Sequence, residues 1–346
     1  MRIVVDIGHP AHVHFFKYYI REARQKGHEI LITAADKDIA LKLLDDYQIK
    51  YVKLGRTGKS LFRKIISVPV LDWKLLRAVK SFKPDLFLGL GSIRCTHVAK
   101  ILGKHSIIFN DTEATIKEHI LYHPFADRIV SPRCFGRDFG PKHVRYDGYH
   151  ELAYLHPNRF QANPKTLDEL GIAANKKLFV VRFISWEATH DIGQKGFTSE
   201  GKIRLVKMLS EQGRVIITSE GKLPAELEAY QMPVSPVRMH DVLAFAAMYV
   251  GEGATMASEA AVLGTPVVFL STLVHNYLKE QSERYQLMSI HHEQESALAK
   301  VKEWLAKPGL KKEWQSRKDK MLKEKIDVTA FMTDFIEDFA QQHIRT

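Results

Sequence analysis

The sequence predicts an α/β fold made of two open, doubly wound parallel sheets. Short apolar runs alternate with helical segments, which is the pattern of parallel strands covered by helices on both faces. Turn residues interrupt the alternation from residue 146 to residue 164, and a second alternating set begins at residue 177. A length of 346 residues also suits two domains better than one. We therefore predict one domain over residues 1–155, a second over 165–328, and a helical C-terminal segment over 329–346.

The first half begins with a predicted buried strand at residues 2–8, which ends at a glycine turn and is followed by a helix to residue 26. Further predicted strands cover residues 29–34, 50–54, 86–90, 105–110 and 128–131, and further predicted helices cover residues 39–47, 71–82 and 91–102. Ligands of open parallel sheets bind beyond the carboxyl ends of the strands. The loops at residues 8–14, 89–94 and 110–115 follow such ends, so we expect them to share one wall of a cleft.

The second half is organised around residues 249–270. A short apolar strand there reaches a glycine-rich turn, a helix follows, and Gly264 and Pro266 end it before another apolar strand. A turn that opens a helix presents unpaired N–H groups and the positive end of the helix dipole, which suits a diphosphate. Glu259 lies about one turn inside this small, apolar helix, within reach of a ribose held on the turn. The structural alternative is an ordinary βαβ unit whose glycines serve only the turn.

The remaining elements of this half are also predicted from periodicity. Predicted strands cover residues 177–183 and 214–218, and predicted helices cover 199–212, 223–229, 240–247, 276–285 and 329–342.

The composition excludes several classes of protein but does not identify the binding partner. No apolar run approaches the roughly 18 to 20 residues that span a bilayer. Asp6 and His9 interrupt the N-terminal apolar run, so we do not expect a signal peptide. Two cysteines suggest neither a disulfide framework nor a metal site. We expect a soluble, cytoplasmic protein whose net charge of +11 would attract nucleic acid, an anionic membrane face or a phosphorylated substrate.

Three histidines follow the first strand, at positions 9, 12 and 14. A zinc site is one interpretation, but Pro10 kinks the loop, and we expect no metal. We favour a substrate-contacting role for His12, with its ring facing the cleft, over a purely structural role. His9 is a candidate general base, because imidazole needs little adjustment to act near neutral pH.

Two carboxylates, Asp111 and Glu113, follow the strand at residues 105–110. A base that deprotonates an attacking hydroxyl group suits such a position, whereas one of the two carboxylates is expected only to cap the next helix. We favour Glu113 for the chemistry and keep Asp111 as the second candidate.

Arg182 closes the first strand of the second half, and Ser185 follows in the adjoining loop. A guanidinium group at a strand end can bind a diphosphate with two hydrogen bonds, although a surface salt bridge is the alternative.

The segment Gly55–Ser60 resembles a P-loop, but Lys53 stands where the first glycine of that motif should be, so the spacing fails. Residues 59–66 remain a basic, apolar-studded stretch, which suits either contact with an anionic membrane or a solvated loop.

These features together resemble the GT-B glycosyltransferase superfamily. Residues 239–266 look like the nucleotide-sugar-binding segment of MurG-type N-acetylglucosaminyltransferases and of non-hydrolysing UDP-N-acetylglucosamine 2-epimerases. Residues 10–13 resemble the histidine-containing first loop of the MurG type, and residues 89–92 and 109–130 run parallel to its first domain. Nearly the whole chain is most similar to DUF354, a family within this superfamily.

The resemblance implies two Rossmann-like domains facing a cleft, with an acceptor in the first and a nucleotide sugar in the second. It implies that Glu259 binds the ribose, that the backbone from Gly253 through Ala254 and Thr255 to Met256 binds the diphosphate, and that Gln281 contacts the donor sugar. It also implies that the final helix crosses back to the first domain. The first loop has only Gly8 where MurG-type loops carry several glycines, and the catalytic set of the epimerases is incomplete.

The leading hypothesis is a metal-independent glycosyltransferase that uses no cofactor. It would transfer a sugar from a nucleotide-linked donor, most simply a UDP-sugar, to a glycan or lipid-linked acceptor. A nucleotide-sugar 2-epimerase is the alternative from the same fold. A non-catalytic binder of anionic lipid or nucleic acid is the alternative from another class, although no nucleic-acid motif is present and no nucleic-acid partner is expected. Peripheral contact with the inner face of the cell membrane stays open.

Overall fold

The computed structural model describes residues 1–37, 39–55, 61–113, 116–173, 176–185 and 196–344; of residues 61–67 and 117 only the backbone is described. The chain forms two compact units. The first comprises Met1–Arg159 with Lys325–Thr346, and the second comprises Phe160–Glu324.

The first unit contains a parallel sheet of seven strands. These are β1 (Arg2–Ile7), β2 (Glu29–Ala35), β3 (Val52–Gly55), β4 (Leu86–Leu90), β5 (His105–Phe109), β6 (Arg128–Pro132) and β7 (His143–Tyr146). Their order in the sheet is β3-β2-β1-β4-β5-β6-β7. The helices of this part of the chain are α1 (Pro10–Gln25), α2 (Ala40–Asp46), α3 (Leu61–Val79), α4 (Ile93–Ile101), α5 (Ile116–Tyr122) and α6 (Leu152–Leu155).

The second unit contains a parallel sheet of five strands in the order β12-β11-β10-β8-β9. These are β8 (Leu178–Phe183), β9 (Arg214–Ser219), β10 (Met248–Gly251), β11 (Val267–Leu270) and β12 (Met288–His291). Its helices are α7 (Lys165–Glu169), α8 (Ser199–Ser210), α9 (Met239–Phe245), α10 (Ala254–Val262), α11 (Asn276–Glu283), α12 (Gln294–Leu305) and α13 (Leu310–Glu324).

Each sheet has one switch point, which is the place where the strand order reverses direction. In the first sheet the chain runs outward from β1 through β2 and β3 and then returns to β4 on the other side of β1. In the second sheet β9 and β10 lie on opposite sides of β8. Crevices form beyond the carboxyl ends of strands at such points, because the connecting helices depart to opposite faces. The first histidine-rich segment follows β1, and the turn at Gly253 follows β10, so both lie at these points.

The last helix, α14 (Val328–His343), belongs to the first unit and packs against α1 and α6. Asp327 caps its N-terminus by accepting a hydrogen bond from the Ala330 N–H. The Thr329 hydroxyl group donates to the Ala153 carbonyl at 2.7 Å, and Met332 is fully buried. The predicted return of the final helix to the first unit is therefore confirmed.

Three details differ from the sequence prediction. Helix α3 begins at Leu61 rather than at residue 71 and continues through Pro69, because one proline removes a single hydrogen bond that flanking turns can outweigh. Residues 223–229 were predicted as a helix, whereas Ala225–Tyr230 is a 3-10 helix. Strands β7 and β12 were not predicted, because each has only four residues and most of them are partly exposed.

Two predictions lie wholly or partly outside the described residues, namely the P-loop-like segment, of which residues 56–60 are not described, and the basic stretch at 59–66, whose side chains are not described. In the described part of the chain no helix is long and apolar enough to span a bilayer.

Candidate functional site

The turn between β10 and α10 lies at the switch point of the second sheet. Gly253 stands at the N-cap of α10, and a glycine has no side chain that could cap this helix. The first acceptor–donor pair inside the helix is the Gly253 carbonyl with the Ala257 N–H. The N–H groups of Ala254, Thr255 and Met256 therefore have no acceptor within the helix, which leaves them available to an anion.

Close packing explains the glycines of this turn. A Cβ atom on Gly251 would lie 2.7 Å from the Arg182 carbonyl oxygen and 2.6 Å from the Tyr249 hydroxyl oxygen. A Cβ atom on Gly253 would lie 3.3 Å from the Arg182 Cγ atom. The turn is thus pressed against the end of β8, and Arg182 lies beside it.

Glu252, between these glycines, was not identified from the sequence. It is 2% exposed, and its two carboxylate oxygens accept backbone N–H groups of Ile184 at 3.0 Å and Phe197 at 2.6 Å. Because these two residues flank the loop that follows β8, Glu252 ties both ends of that loop to the turn. Its role is to hold the backbone of the site.

Glu259 is buried on α10 and faces His240 of α9. The distance from the His240 Nε2 atom to the Glu259 Oε1 atom is 3.0 Å, and both side chains are almost fully buried. A buried carboxylate needs hydrogen bonds or an opposite charge to offset its desolvation. His240 supplies such a partner and fixes the orientation of the carboxylate group.

Arg182 forms the salt bridge that was one of its two interpretations, and its binding of a diphosphate stays a prediction. Its guanidinium group lies 2.6 Å from Glu220 Oε1, and its stem lies beside Gly253. The arginine side chain is 23% exposed and the glutamate 47%, so water reaches the ion pair. Ser185 is half-buried two residues beyond the end of β8.

Gln281 is not on the open face of this unit. It is fully buried, and its amide nitrogen donates to the Ser258 hydroxyl at 2.7 Å. The contact with a donor sugar that the resemblance implied stays a prediction, and it would require this side chain to leave its buried position beside Ser258. Its packing between α10 and α11 explains the burial.

In the first unit, a buried carboxylate organises the end of β1. Asp6 accepts hydrogen bonds from Thr33 Oγ1 at 2.9 Å and Ser92 Oγ at 2.7 Å, and it pairs with Arg94 at 2.8 Å. The second terminal nitrogen of Arg94 lies 3.4 Å from the Ile7 carbonyl. Arg94 is thereby fixed next to the end of β1, where α1 and its three histidines begin.

These histidines have three different environments. His9 caps α1, since its Nδ1 atom accepts the Ala11 N–H at 3.2 Å. The His12 Nδ1 atom accepts the Gly8 N–H at 3.1 Å. His14 turns away and stacks on Tyr154 with ring centroids 5.3 Å apart. In the described part of the chain no three His, Cys, Asp or Glu side chains are grouped closely enough to hold a metal ion.

His12 is arranged as a hydrogen-bond donor. Burial, and then the charges of His9, Lys37 and Arg94, hold the pKa of His12 well below its usual value. The ring is therefore neutral, and because Nδ1 accepts from Gly8, the hydrogen resides on Nε2. His12 can donate to a substrate oxygen, but its accepting nitrogen is already occupied. This arrangement favours the predicted substrate contact.

The two carboxylates after β5 point to different partners. Asp111 Oδ2 lies 2.9 Å from the Nδ1 atom of His150, and Asp111 Oδ1 accepts from Thr112 Oγ1 at 2.9 Å. Glu113 Oε1 instead accepts the Gly136 N–H at 3.2 Å. His150 lay in the stretch that the sequence marked as a linker, and its pairing with a residue far away in sequence gave no local signal.

Buried histidine makes the first unit sensitive to acid. Burial, assisted by the charge of Arg137, lowers the pKa of His119 from 6.5 to about 4. Between pH 6.5 and pH 4 the unfolded chain binds a proton that the folded chain does not, so the free energy of unfolding should decrease as pH falls through this window. Urea unfolding of the His119→Gln variant should show a flatter pH dependence there.

Above pH 6.5 the stability difference between this variant and the wild type should be constant, because His119 is then neutral in both states. Equal slopes for the two proteins between pH 6.5 and pH 4 would contradict the assignment to His119.

Solved structures with the same arrangement of sheets include epimerases and glycosyltransferases. The S. aureus MnaA–UDP co-structure superposes with a TM-score of 0.69 at 12% identity, covering 98% of this chain and 97% of that one. The UDP-GlcNAc 2-epimerase of Neisseria meningitidis bound to UDP-GlcNAc gives 0.66 at 11% identity, covering 99% and 100%. The spinosyn rhamnosyltransferase SpnG complexed with spinosyn aglycone gives 0.64 at 11% identity, covering 97% and 100%. At such identities the likeness shows the fold, which is GT-B.

Sequence comparison gives two further results. An uncharacterized protein of Methanocaldococcus jannaschii is 23% identical over 275 residues, which cover 76% of this chain and 80% of that protein. The family model described as "Protein of unknown function (DUF354)" matches residues 1–340, and the chain belongs to this family.

Proposed function

We propose that this protein is a metal-independent glycosyltransferase that takes a sugar from a nucleotide-sugar donor. The observation that carries the proposal is the site at the switch point of the second sheet. A buried carboxylate, Glu259, lies on a helix whose first N–H groups are open, and Arg182 lies beside the same turn. A carboxylate for ribose hydroxyl groups, next to a cationic and N–H-rich site for phosphates, matches a nucleoside diphosphate.

The donor half of the reaction is assigned to the second unit. The N–H groups of Ala254, Thr255 and Met256 would bind the diphosphate, with Arg182 and Ser185 at its edge. As the anomeric bond breaks, negative charge builds up on the departing diphosphate. Fixed donors aimed at that charge stabilise the transition state more than the ground state.

The acceptor half is assigned to the first unit. His12 would donate from Nε2 to an acceptor oxygen, with His9 and Glu113 as further candidates for contact with the acceptor. The acceptor is a hydroxyl group of a glycan or of a lipid-linked sugar, and a lipid-linked acceptor would bring the protein to the surface of a membrane. The net charge of +11 favours approach to an anionic surface of that kind.

A nucleotide-sugar 2-epimerase is the second candidate. The observation in its favour is that the UDP-GlcNAc 2-epimerase of Neisseria meningitidis superposes on this chain as well as the rhamnosyltransferase does. Incubation of UDP-N-acetylglucosamine in deuterium oxide separates the two, because an epimerase incorporates deuterium at C2 without an acceptor. A strict requirement for an acceptor would exclude epimerisation as the activity.

The first test is calorimetric titration with UDP, GDP and CDP, followed by labelled nucleotide sugars with glycan and lipid-linked acceptors. We expect one nucleoside diphosphate to bind and its sugar to be transferred. Failure of all three nucleotides to bind would refute the donor site. Binding without transfer or epimerisation across the panel would refute the enzymatic proposal.

A further inference from the structure

A histidine–carboxylate pair lies at the carboxyl edge of the seven-stranded sheet. Asp111 follows β5 and His150 follows β7, and both strands run parallel, so the two residues emerge at the same edge. Helix α1, which carries His12 in its first turn, begins after β1 at this edge as well. The pair therefore belongs to the part of the unit where ligands of open sheets bind.

The hydrogen bonds of His150 are incomplete in a specific way. Its Nδ1 atom lies 2.9 Å from Asp111 Oδ2, whereas its Nε2 atom is buried and has no hydrogen-bond partner among the residues that the structure describes. Phe15 packs against the ring with centroids 4.5 Å apart, and Tyr146 lies parallel to it at 6.4 Å. The ring is thus held in one orientation, with one nitrogen engaged and the other left open.

Other carboxylate-paired histidines of the first unit do not share this feature. His143 contacts Asp138 through Nδ1 and the Ser131 hydroxyl through Nε2 at 2.7 Å. His97 contacts Asp72 through Nδ1 and the Leu121 carbonyl through Nε2 at 3.2 Å. A histidine that serves packing alone has both nitrogens satisfied, since an unpaired buried polar atom destabilises the fold.

We propose that His150 is the general base of the transfer reaction, oriented by Asp111. The inference rests on the proposed glycosyltransferase function and names the group that accepts the acceptor's proton. The Asp111 carboxylate holds the hydrogen of the neutral ring on Nδ1, so the lone pair of Nε2 is available. Nε2 is buried in the structure, so a local rearrangement would have to open it before the acceptor hydroxyl reaches it directly or through one water molecule.

The step balances without any further reactant. The acceptor oxygen forms a bond to the anomeric carbon while the bond from that carbon to the diphosphate oxygen breaks, and its electron pair leaves with the diphosphate. The hydroxyl proton passes to Nε2 of His150, and the imidazolium that results is paired with the Asp111 carboxylate. Return of the proton to solvent restores the neutral ring.

The decisive variant is His150→Asn. An asparagine amide can still donate to Asp111 from near the Nδ1 position, but it has no distal nitrogen that can accept a proton. Release of UDP from UDP-N-acetylglucosamine is measured with the panel of glycan and lipid-linked acceptors, and UDP binding is measured separately by calorimetry. We expect kcat to fall by about 100-fold or more, with UDP affinity unchanged.

Two further variants complete the design. Asp111→Asn would donate to Nδ1 and so move the ring hydrogen to Nε2, and we expect a loss of kcat of similar size. His143→Asn is the matched control, because His143 is a carboxylate-paired histidine of the same unit with both nitrogens engaged. We expect its kcat to be unchanged.

The outcomes separate this inference from the proposed function. If the wild type neither binds a nucleotide nor releases UDP, the proposed function fails and His150 has no reaction to serve. If the wild type turns over and His150→Asn turns over equally well, only the assignment of the base is overturned, and the ring serves packing. A large loss in Glu113→Gln with full activity in His150→Asn would overturn it in favour of Glu113.

Discussion

Replacement of Glu259 by alanine is expected to weaken UDP binding by about 10- to 100-fold, as loss of hydrogen bonds to a charged group costs about 1.5–3 kcal/mol. The carboxylate can accept hydrogen bonds from both hydroxyl groups of a ribose. It is already buried and oriented by His240 at 3.0 Å, so little of its freedom remains to be lost on binding. Isothermal titration with UDP measures the change directly.

Two controls separate recognition from folding. Glu259→Gln keeps an acceptor for His240 but removes the charge, and its affinity should lie between those of the wild type and the alanine variant. Glu295→Ala removes a carboxylate that is 62% exposed and paired with Arg204, on a different helix of the same unit. It should leave UDP binding unchanged. Wild-type affinity in Glu259→Ala would show that the ribose lies elsewhere.

The hydrogen bond between Glu259 and His240 also leads us to expect that the effects of their substitutions on UDP binding are coupled. His240→Ala should weaken UDP binding through loss of the orientation of Glu259, although His240 itself need not touch the nucleotide. The double variant should then bind little worse than Glu259→Ala alone, because the two side chains act as one unit. Additive losses would mean that His240 contacts the ligand separately.

The sequence shows those parts of the site that are contiguous in the chain. Residues 249–270 show the pattern of a strand, a turn, a helix and a second strand. Glu259 can be identified as a candidate site residue because a carboxylate is unusual on such an apolar helix. The two parallel sheets follow from the alternation of strands and helices, although the order of the strands was not predicted.

Contacts between residues that are far apart in the sequence cannot be predicted in the same way. Glu252 binds the backbone at Ile184 and Phe197, and His150 pairs with Asp111, all across separations of 39 to 68 residues. Side-chain periodicity carries information on neighbours along one element and none on which loops meet. For this reason Glu113 was favoured over Asp111 for the chemistry, whereas the structure shows a histidine partner for Asp111.

The sequence also does not show whether a given polar side chain is exposed or buried in the fold. Gln281 occupies a position that the resemblance assigns to the donor sugar, but tertiary packing buries it against Ser258. The predicted substrate contact of His12 stays a prediction, but the structure adds what the sequence could not contain, namely that the Gly8 N–H fixes which nitrogen of its ring carries the hydrogen.

Replacement of Arg182 by alanine is expected to lower kcat by about 100-fold, which is typical for loss of one fixed donor to a developing negative charge. Arg182 lies at the end of β8 beside the turn that opens α10, so its guanidinium group would supplement the helix N–H groups. KM for the donor should change less than kcat if the interaction strengthens as the diphosphate departs. Steady-state kinetics on the transferable donor measures both quantities.

The effect of replacing Glu220 determines how the loss of kcat in Arg182→Ala is interpreted. Its ion pair with Arg182 is open to water, and exposed pairs of this kind contribute only about 0–1 kcal/mol, so a diphosphate can displace Glu220 at little cost. Glu220→Gln should therefore leave the protein folded and strengthen UDP binding, since a competing negative charge is removed. If the arginine binds phosphate, Arg182→Ala should therefore lower kcat, whereas Glu220→Gln should strengthen UDP binding. If both leave UDP binding and kcat unchanged, Arg182 serves only a surface salt bridge, and the helix N-terminus alone must neutralise the leaving group.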